Sequence, residues 1–251
     1  MKIIISPAKK MRKDRDSLPV SDLPEFLGDT EVLMDTLRSM TDAELKSLWK
    51  CNEEIAAVNI QRLQTMDLRS GLTPAILAYE GIQYRYMAPN VFTREALDYI
   101  RQHLRILSGF YGVLRPFDGV TPYRLEMQAK LSVNGCRDLY DFWGSRLAES
   151  LAAETDWIVN LASKEYSLCI SRHLPADIRF LTCVFGEEKQ GKIVEKGTMC
   201  KMARGEMVRY LAENQIQSPE EIKAFQGLGY GFDAARSDEN TYVFVLRQEE
   251  E

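Results

Sequence analysis

Five stretches of this chain carry side chains able to do chemistry. The first is Ser6-Pro7-Ala8-Lys9-Lys10, directly after a run of isoleucines. A lysine beyond a strand end can neutralise a phosphate, and Ser6 can donate a hydrogen bond to it. The glycines and the Gly-Lys-Ser/Thr order of a P-loop are missing; a solvated basic loop reads equally well. The second holds Gly109-Phe110-Tyr111-Gly112, then Arg115, Asp118 and Thr121-Pro122-Tyr123-Arg124-Leu125-Glu126. Apolar residues flank its glycines, as in a helix–hairpin–helix, which offers backbone N–H groups to a phosphate. The glycine spacing departs from that motif, and a tight core turn with snorkelling Arg115 and Arg124 is the alternative. The third, Asn160-Leu161-Ala162-Ser163-Lys164-Glu165-Tyr166, repeats the Ser and Lys chemistry of the first. Two such loops on neighbouring strands can converge on one anion. Glu165 can orient the lysine or act as a base, or it is a surface acid on a plain connection.

The fourth stretch places Lys201 and Arg204 three residues apart, with Arg209 back near Lys201 after about two helical turns. This is a basic stripe or a solvated helix face. The fifth alternates Gly227, Gly229 and Gly231, which suits a bulge or an irregular strand. No helix pattern follows it, so it is not read as a dinucleotide fingerprint.

These stretches need a scaffold. Residues 2–5 read as a buried strand ending at Ser6-Pro7. Residues 75–79, 105–108, 157–161, 178–185 and 241–246 read as further strands, and residues 191–196 pair with the fourth of these as a hairpin. Thr41 to Glu44 is a capping box. Thr93 caps a helix, residues 141–153 and 199–212 read as helices, and Ser218-Pro219 starts another. The Glu249-Glu250-Glu251 tail reads as solvated. Strands alternate with helices and no linker interrupts them. The expectation is one α/β domain over residues 1–251, with a mixed central sheet and helices on both faces. Ligands of such sheets sit beyond the carboxyl ends of the strands.

Composition narrows the classes. The chain has 251 residues, 45% hydrophobic and 27% charged, which excludes a disordered or collagen-like polymer. No apolar run approaches the roughly 20 residues of a membrane span. The amino terminus has too short an apolar core for a signal peptide, so a cytoplasmic location is expected. The net charge of −5 argues mildly against a general polyanion binder and leaves room for a basic cleft. Five scattered cysteines read as reduced thiols. With two histidines and no paired Cys/His cluster, neither a metal nor another cofactor is expected.

The chemistry-bearing segments resemble the YaaA family of peroxide stress proteins. The matching stretches are Ile3-Ile4-Ile5-Ser6-Pro7-Ala8-Lys9, residues 107–116, Pro122-Tyr123-Arg124-Leu125-Glu126-Met127, residues 139–144, residues 160–166 and Ala203-Arg204-Gly205. They run through nearly the whole chain in order. The resemblance implies a role in the hydrogen peroxide response, limiting intracellular iron and oxidative DNA damage, with DNA binding in a positively charged cleft. It supplies no established catalytic activity.

Two readings follow. In the first, Lys9, Arg115, Arg124, Ser163, Lys164, Lys201 and Arg204 contact the phosphates of double-stranded or distorted DNA, and Tyr111 or Tyr123 stacks on exposed bases. In the second, an enzyme acts on a nucleotide or nucleobase, with Ser6, Lys9, Tyr123, Glu126, Asp141, Lys164 and Glu165 as its candidate catalytic groups. An enclosed pocket with a carboxylate beside Lys9 or Lys164 favours the enzyme. An open groove lined by cations alone favours the binder.

Overall fold

The isoleucine run becomes the hub of the protein. In the computed structural model, which describes residues 1–247, Ile3, Ile4 and Ile5 are all at most 1% exposed. A parallel strand covered on both faces has this continuous apolar signature. The acidic tail at Glu249-Glu250-Glu251 lies outside the described residues.

Eight strands form the main sheet: β1 (Lys2–Ile5), β2 (Leu104–Ser108), β3 (Gly112–Leu114), β4 (Trp157–Leu161), β5 (Arg179–Lys189), β6 (Lys192–Val194), β7 (Tyr230–Phe232) and β8 (Thr241–Leu246). Their order is β7-β8-β5-β4-β1-β2-β3, with β6 paired to β5. The middle five are parallel, and β3, β6 and β7 run antiparallel to their partners. Ile5 pairs with Ile106 on one side and Leu161 on the other. The chain leaves β1 for β2 on one flank and later returns to its other flank as β4. The gap between β1 and β4 is therefore the switch point of the sheet, where crossovers diverge and a crevice opens at the carboxyl ends.

Around the sheet pack α1 (Leu27–Arg38), α2 (Asp42–Trp49), α3 (Glu53–Thr65), α4 (Ala75–Ala78), α5 (Ile82–Met87), α6 (Arg94–His103), α7 (Leu139–Trp143), α8 (Arg146–Ala152), α9 (Lys164–Ser171), α10 (Gly197–Glu213) and α11 (Pro219–Ile222). Capping signals act as expected. Thr41 Oγ1 accepts the Glu44 N–H at 3.4 Å, while the Glu44 carboxylate accepts the Thr41 N–H at 2.8 Å. Thr93 Oγ1 likewise accepts the Ala96 N–H at 3.3 Å.

Three local expectations change. Residues 75–78 form the short buried helix α4 rather than a strand, and of the expected run only Tyr79 is extended, paired with Met11; a brief apolar run has no periodicity to separate the two. Residues 141–153 are split between α7 and α8, because Gly144 takes φ 51° between them. Residues 105–116 are not a helix–hairpin–helix but the β-hairpin of β2 and β3. Ser108 Oγ accepts the N–H groups of Phe110 at 3.1 Å and Tyr111 at 2.8 Å, folding the turn tightly, and Gly112 at φ 74° sends the chain back. Both aromatics of this turn are fully buried.

Candidate functional site

The crevice at the switch point is a cleft of about 410 Å³. Its base is the loop after β1. Ser6 Oγ accepts the Ser163 N–H at 2.8 Å, and the two serine hydroxyls lie 3.2 Å apart. The loops after β1 and β4 are thus tied together at their first residues. Tyr84 Oη donates to the Ser6 carbonyl at 3.0 Å, fixing the same loop from α5.

The remaining walls come from distant segments. Gly109 is packed so closely on the chain at residues 125–127 that a Cβ there would lie 2.7 Å from the Leu125 carbonyl oxygen. This contact brings Arg124 and Glu126 to the rim. Gly205 does the same for the opposite wall, where a Cβ would meet the Gln83 carbonyl oxygen at 2.1 Å. The bare backbone of α10 therefore lies against α5 and sets Arg204 and Lys201 beside Gln83 and Tyr84 in the lining.

Cations and carboxylates share the cleft: Lys9, Lys10, Arg124, Lys201 and Arg204 against Glu80, Glu126 and Glu165. Lys10 Nζ is 3.0 Å from Glu80. Glu126 stands between Lys9 at 3.7 Å and Arg124 at 3.6 Å. Arg204 is 3.6 Å from Glu195. Four buried side-chain nitrogens lack a hydrogen-bond partner among the described residues, and three of them, on Gln83, Arg124 and Arg204, belong to the cleft lining. Buried donors without acceptors cost about 1–3 kcal/mol each, so natural proteins keep few of them.

The titrating groups are tuned by burial. It raises the Glu165 carboxyl above the ordinary value, and the nearby Glu126 charge adds to this; the Gln128 N–H and the Lys9 charge oppose it. Burial pushes the Tyr123 phenol up to about 12, partly offset by hydrogen bonds with Ser108 and Tyr79. Tyr123 Oη lies 2.6 Å from Ser108 Oγ and 2.9 Å from Tyr79 Oη. Ser108 Oγ already accepts two backbone N–H groups, so it donates to Tyr123, and Tyr123 and Tyr79 share the next hydrogen bond.

The cleft gathers Ser6, Lys9, Tyr123, Arg124, Glu126, Ser163, Glu165, Lys201 and Arg204. It leaves out four other candidates. Tyr111 is wholly buried, its hydroxyl accepting the Thr121 N–H at 3.1 Å, so it has no face for a base. Arg115 is carried by the antiparallel return of β3 toward the amino end of β1, where its charge acts on Lys2. Asp141 is exposed and serves the turn into α7, accepting the Arg137 N–H at 3.1 Å. Lys164 opens α9 exposed and outside the lining, while its neighbours Ser163 and Glu165 face the cleft. Conversely, Gln83 and Glu80 were invisible in the sequence, where nothing marks a polar residue of a short helix or its approach as a cleft wall.

An open, mostly parallel sheet with a mixed-charge cleft at its switch point defines an α/β protein whose candidate site is that cleft. Similarity to known sequences narrows the class. The family described as peroxide stress protein YaaA matches residues 1–236, so the chain belongs to that family. A UPF0246 protein of Lachnoclostridium phytofermentans is 54% identical over 245 residues, covering 98% of this chain and 96% of the relative. A UPF0246 protein of Desulfitobacterium hafniense is 54% identical, covering 98% of both chains. One of Lactiplantibacillus plantarum is 51% identical, covering 98% of this chain and all of the relative. No helix among the described residues is long and apolar enough to cross a membrane.

Proposed function

We propose that the protein serves the peroxide stress response by binding a phosphate-bearing nucleotide in the switch-point cleft and acting on it. The supporting observation is that three residues lining one hollow, Gln83, Arg124 and Arg204, each carry a buried donor without a partner among the described residues. Acceptor oxygens of a ligand are what such donors lack. The volume of about 410 Å³ falls in the range of small-ligand sites. The carboxylate of Glu126 beside Lys9 favours an enzyme over a purely cationic groove. In this reading Arg124, Arg204 and Ser163 hold the phosphate. Glu126, held between Lys9 and Arg124, is the candidate general acid or base, and Glu165 faces the same hollow. Lys9 and Ser6 complete the polar floor.

DNA is the second reading, and the exposed Lys9, Lys10 and Lys201 at the cleft favour it. A strand would lie across these lysines and deliver one extruded nucleotide into the hollow. Protection of DNA from oxidative damage would follow from this contact. Among the described residues no cluster of His, Cys, Asp and Glu is arranged to hold a metal ion, so any limitation of iron would act through the nucleotide or DNA ligand.

One experiment addresses both. Purified protein is incubated with nucleoside monophosphates, with intact DNA and with oxidised or mismatched DNA, and both retention and product are measured. Retention with turnover supports the enzyme, and retention without product supports the binder. Absence of either with every probe would sink the proposal.

A further inference from the structure

Glu165 differs from the other two carboxylates of the cleft. Glu80 sits 3.0 Å from Lys10, and Glu126 has Lys9 at 3.7 Å and Arg124 at 3.6 Å. Among the described residues Glu165 has no cation at ion-pair distance; Lys9 acts on it from further away. Its Oε1 accepts the Gln128 N–H at 3.3 Å. A carboxylate offers about four lone-pair sites, so Glu165 retains acceptor capacity inside a ligand cleft. Gln83, in the same lining, is 7% exposed, and its Nε2 has no acceptor among the described residues. The lining thus holds an acceptor waiting for N–H donors, a donor waiting for a carbonyl, and arginines waiting for an anion.

A ligand that answers all three must carry a carbonyl beside N–H groups, together with a phosphate. Adenine presents a ring nitrogen acceptor beside its amine, which would face the carboxylate with a lone pair. Uracil presents a single N–H between two carbonyls. Guanine presents a carbonyl, a ring N–H and an amine in a row, and the last two match the two oxygens of one carboxylate. The buried Tyr84, Tyr123 and Tyr166 supply the apolar part of the same lining.

We propose that the cleft selects a guanine nucleotide, with Gln83 donating to the base carbonyl, Glu165 accepting from its ring N–H and amine, and Arg124 and Arg204 taking the phosphate. This rests on the reading of the cleft as a nucleotide site and adds the identity of the base.

The test is calorimetric titration of the full chain with GMP, IMP, AMP and UMP, each repeated with inorganic phosphate as competitor. GMP is expected to bind tightest. IMP, which lacks the amine, should be weaker by about tenfold, and AMP by about 10- to 100-fold, the range that a lost or reversed bidentate contact produces. E165Q should reduce the preference for GMP over AMP to under about threefold while phosphate still competes. Q83L should erode the same preference from the carbonyl side, and it carries the test if E165Q does not fold by circular dichroism. Equal affinities, a preference for AMP or UMP, or a GMP preference untouched by both variants would overturn the base assignment and leave the nucleotide cleft standing. No nucleotide binding and no competition by phosphate would overturn both.

Discussion

Arg124 and Arg204 each hold a buried Nε–H without an acceptor among the described residues, and their Nη2 atoms stand 3.6 Å from the nearest carboxylates, beyond hydrogen-bond reach. Such arrangements are poor for stability and suited to a ligand. Replacing Arg204 by Met is therefore expected to weaken nucleoside monophosphate binding by about tenfold or more, the worth of a charge-assisted bond of roughly 1.5–3 kcal/mol. The same change should leave the melting temperature of the ligand-free protein level or higher, because an uncompensated buried donor is removed. A melting temperature that falls while affinity holds would show that the guanidinium is structural. Asp118 makes the opposite point outside the cleft. It is 2% exposed and accepts the Arg115 N–H at 2.8 Å. Burial pushes its carboxyl from the ordinary 3.8 up to about 7, against the pull of Arg115. The folded protein then holds this proton to higher pH than the unfolded chain does. Its contribution is therefore fully present below about 4 and is lost as pH rises toward about 7, at about 1.4 kcal/mol per unit. Asp118→Asn should flatten this part of the stability curve, gaining on the parent as pH goes from 5.5 to 8 in thermal melts; a gap that does not widen contradicts the assignment.

Elements position these residues through close backbone approaches. Gly205→Ala would drive a Cβ to 2.1 Å from the Gln83 carbonyl oxygen, which is backbone and cannot swing aside. Separating α10 from α5 should cost about 1–3 kcal/mol, the usual penalty of overpacking, and should weaken ligand binding because Gln83 and Arg204 move apart. Denaturant titration and calorimetry read the two effects separately. Thr41→Ala is the control at a distance from the cleft. Loss of its capping box should cost about 1 kcal/mol with binding unchanged. At this scale the sequence was readable where a local rule acts. Thr41, Thr93, Trp157 to Leu161 and the hairpin of Lys192 to Val194 follow caps, β-branching and turn glycines. It misled where a run was short or a turn was closed by side chains. The stretch at Ala75 to Ala78 is apolar without period, and the turn after Ser108 is held by a hydroxyl whose two donors could not be inferred.

Over the whole molecule, an excess of negative charge surrounds a cleft with more cations than carboxylates. The net charge of −5 should repel a long polyanion except where Lys9, Lys10 and Lys201 meet it. If DNA binds, the logarithm of affinity should fall with the logarithm of salt at a slope no steeper than about −3, as three phosphate contacts dictate. A much steeper slope would mean that a different face carries the strand.

By itself the sequence determined the isoleucine strand, the alternation of strands and helices, the capped helix starts and the two serine-bearing loops. Each of these depends on residues close together in the chain. Only the tertiary structure decided which charges meet. Lys164 and Glu165 are neighbours in sequence, yet Glu165 lines the cleft and Lys164 does not; Arg115 and Arg124 share one stretch, yet an antiparallel return separates them. Gln83 reaches the site because a glycine of α10, more than a hundred residues later, lets two helices touch. Convergence at the switch point depends on strand order and on backbone contacts between distant segments, and neither leaves a periodic or local trace in the chain.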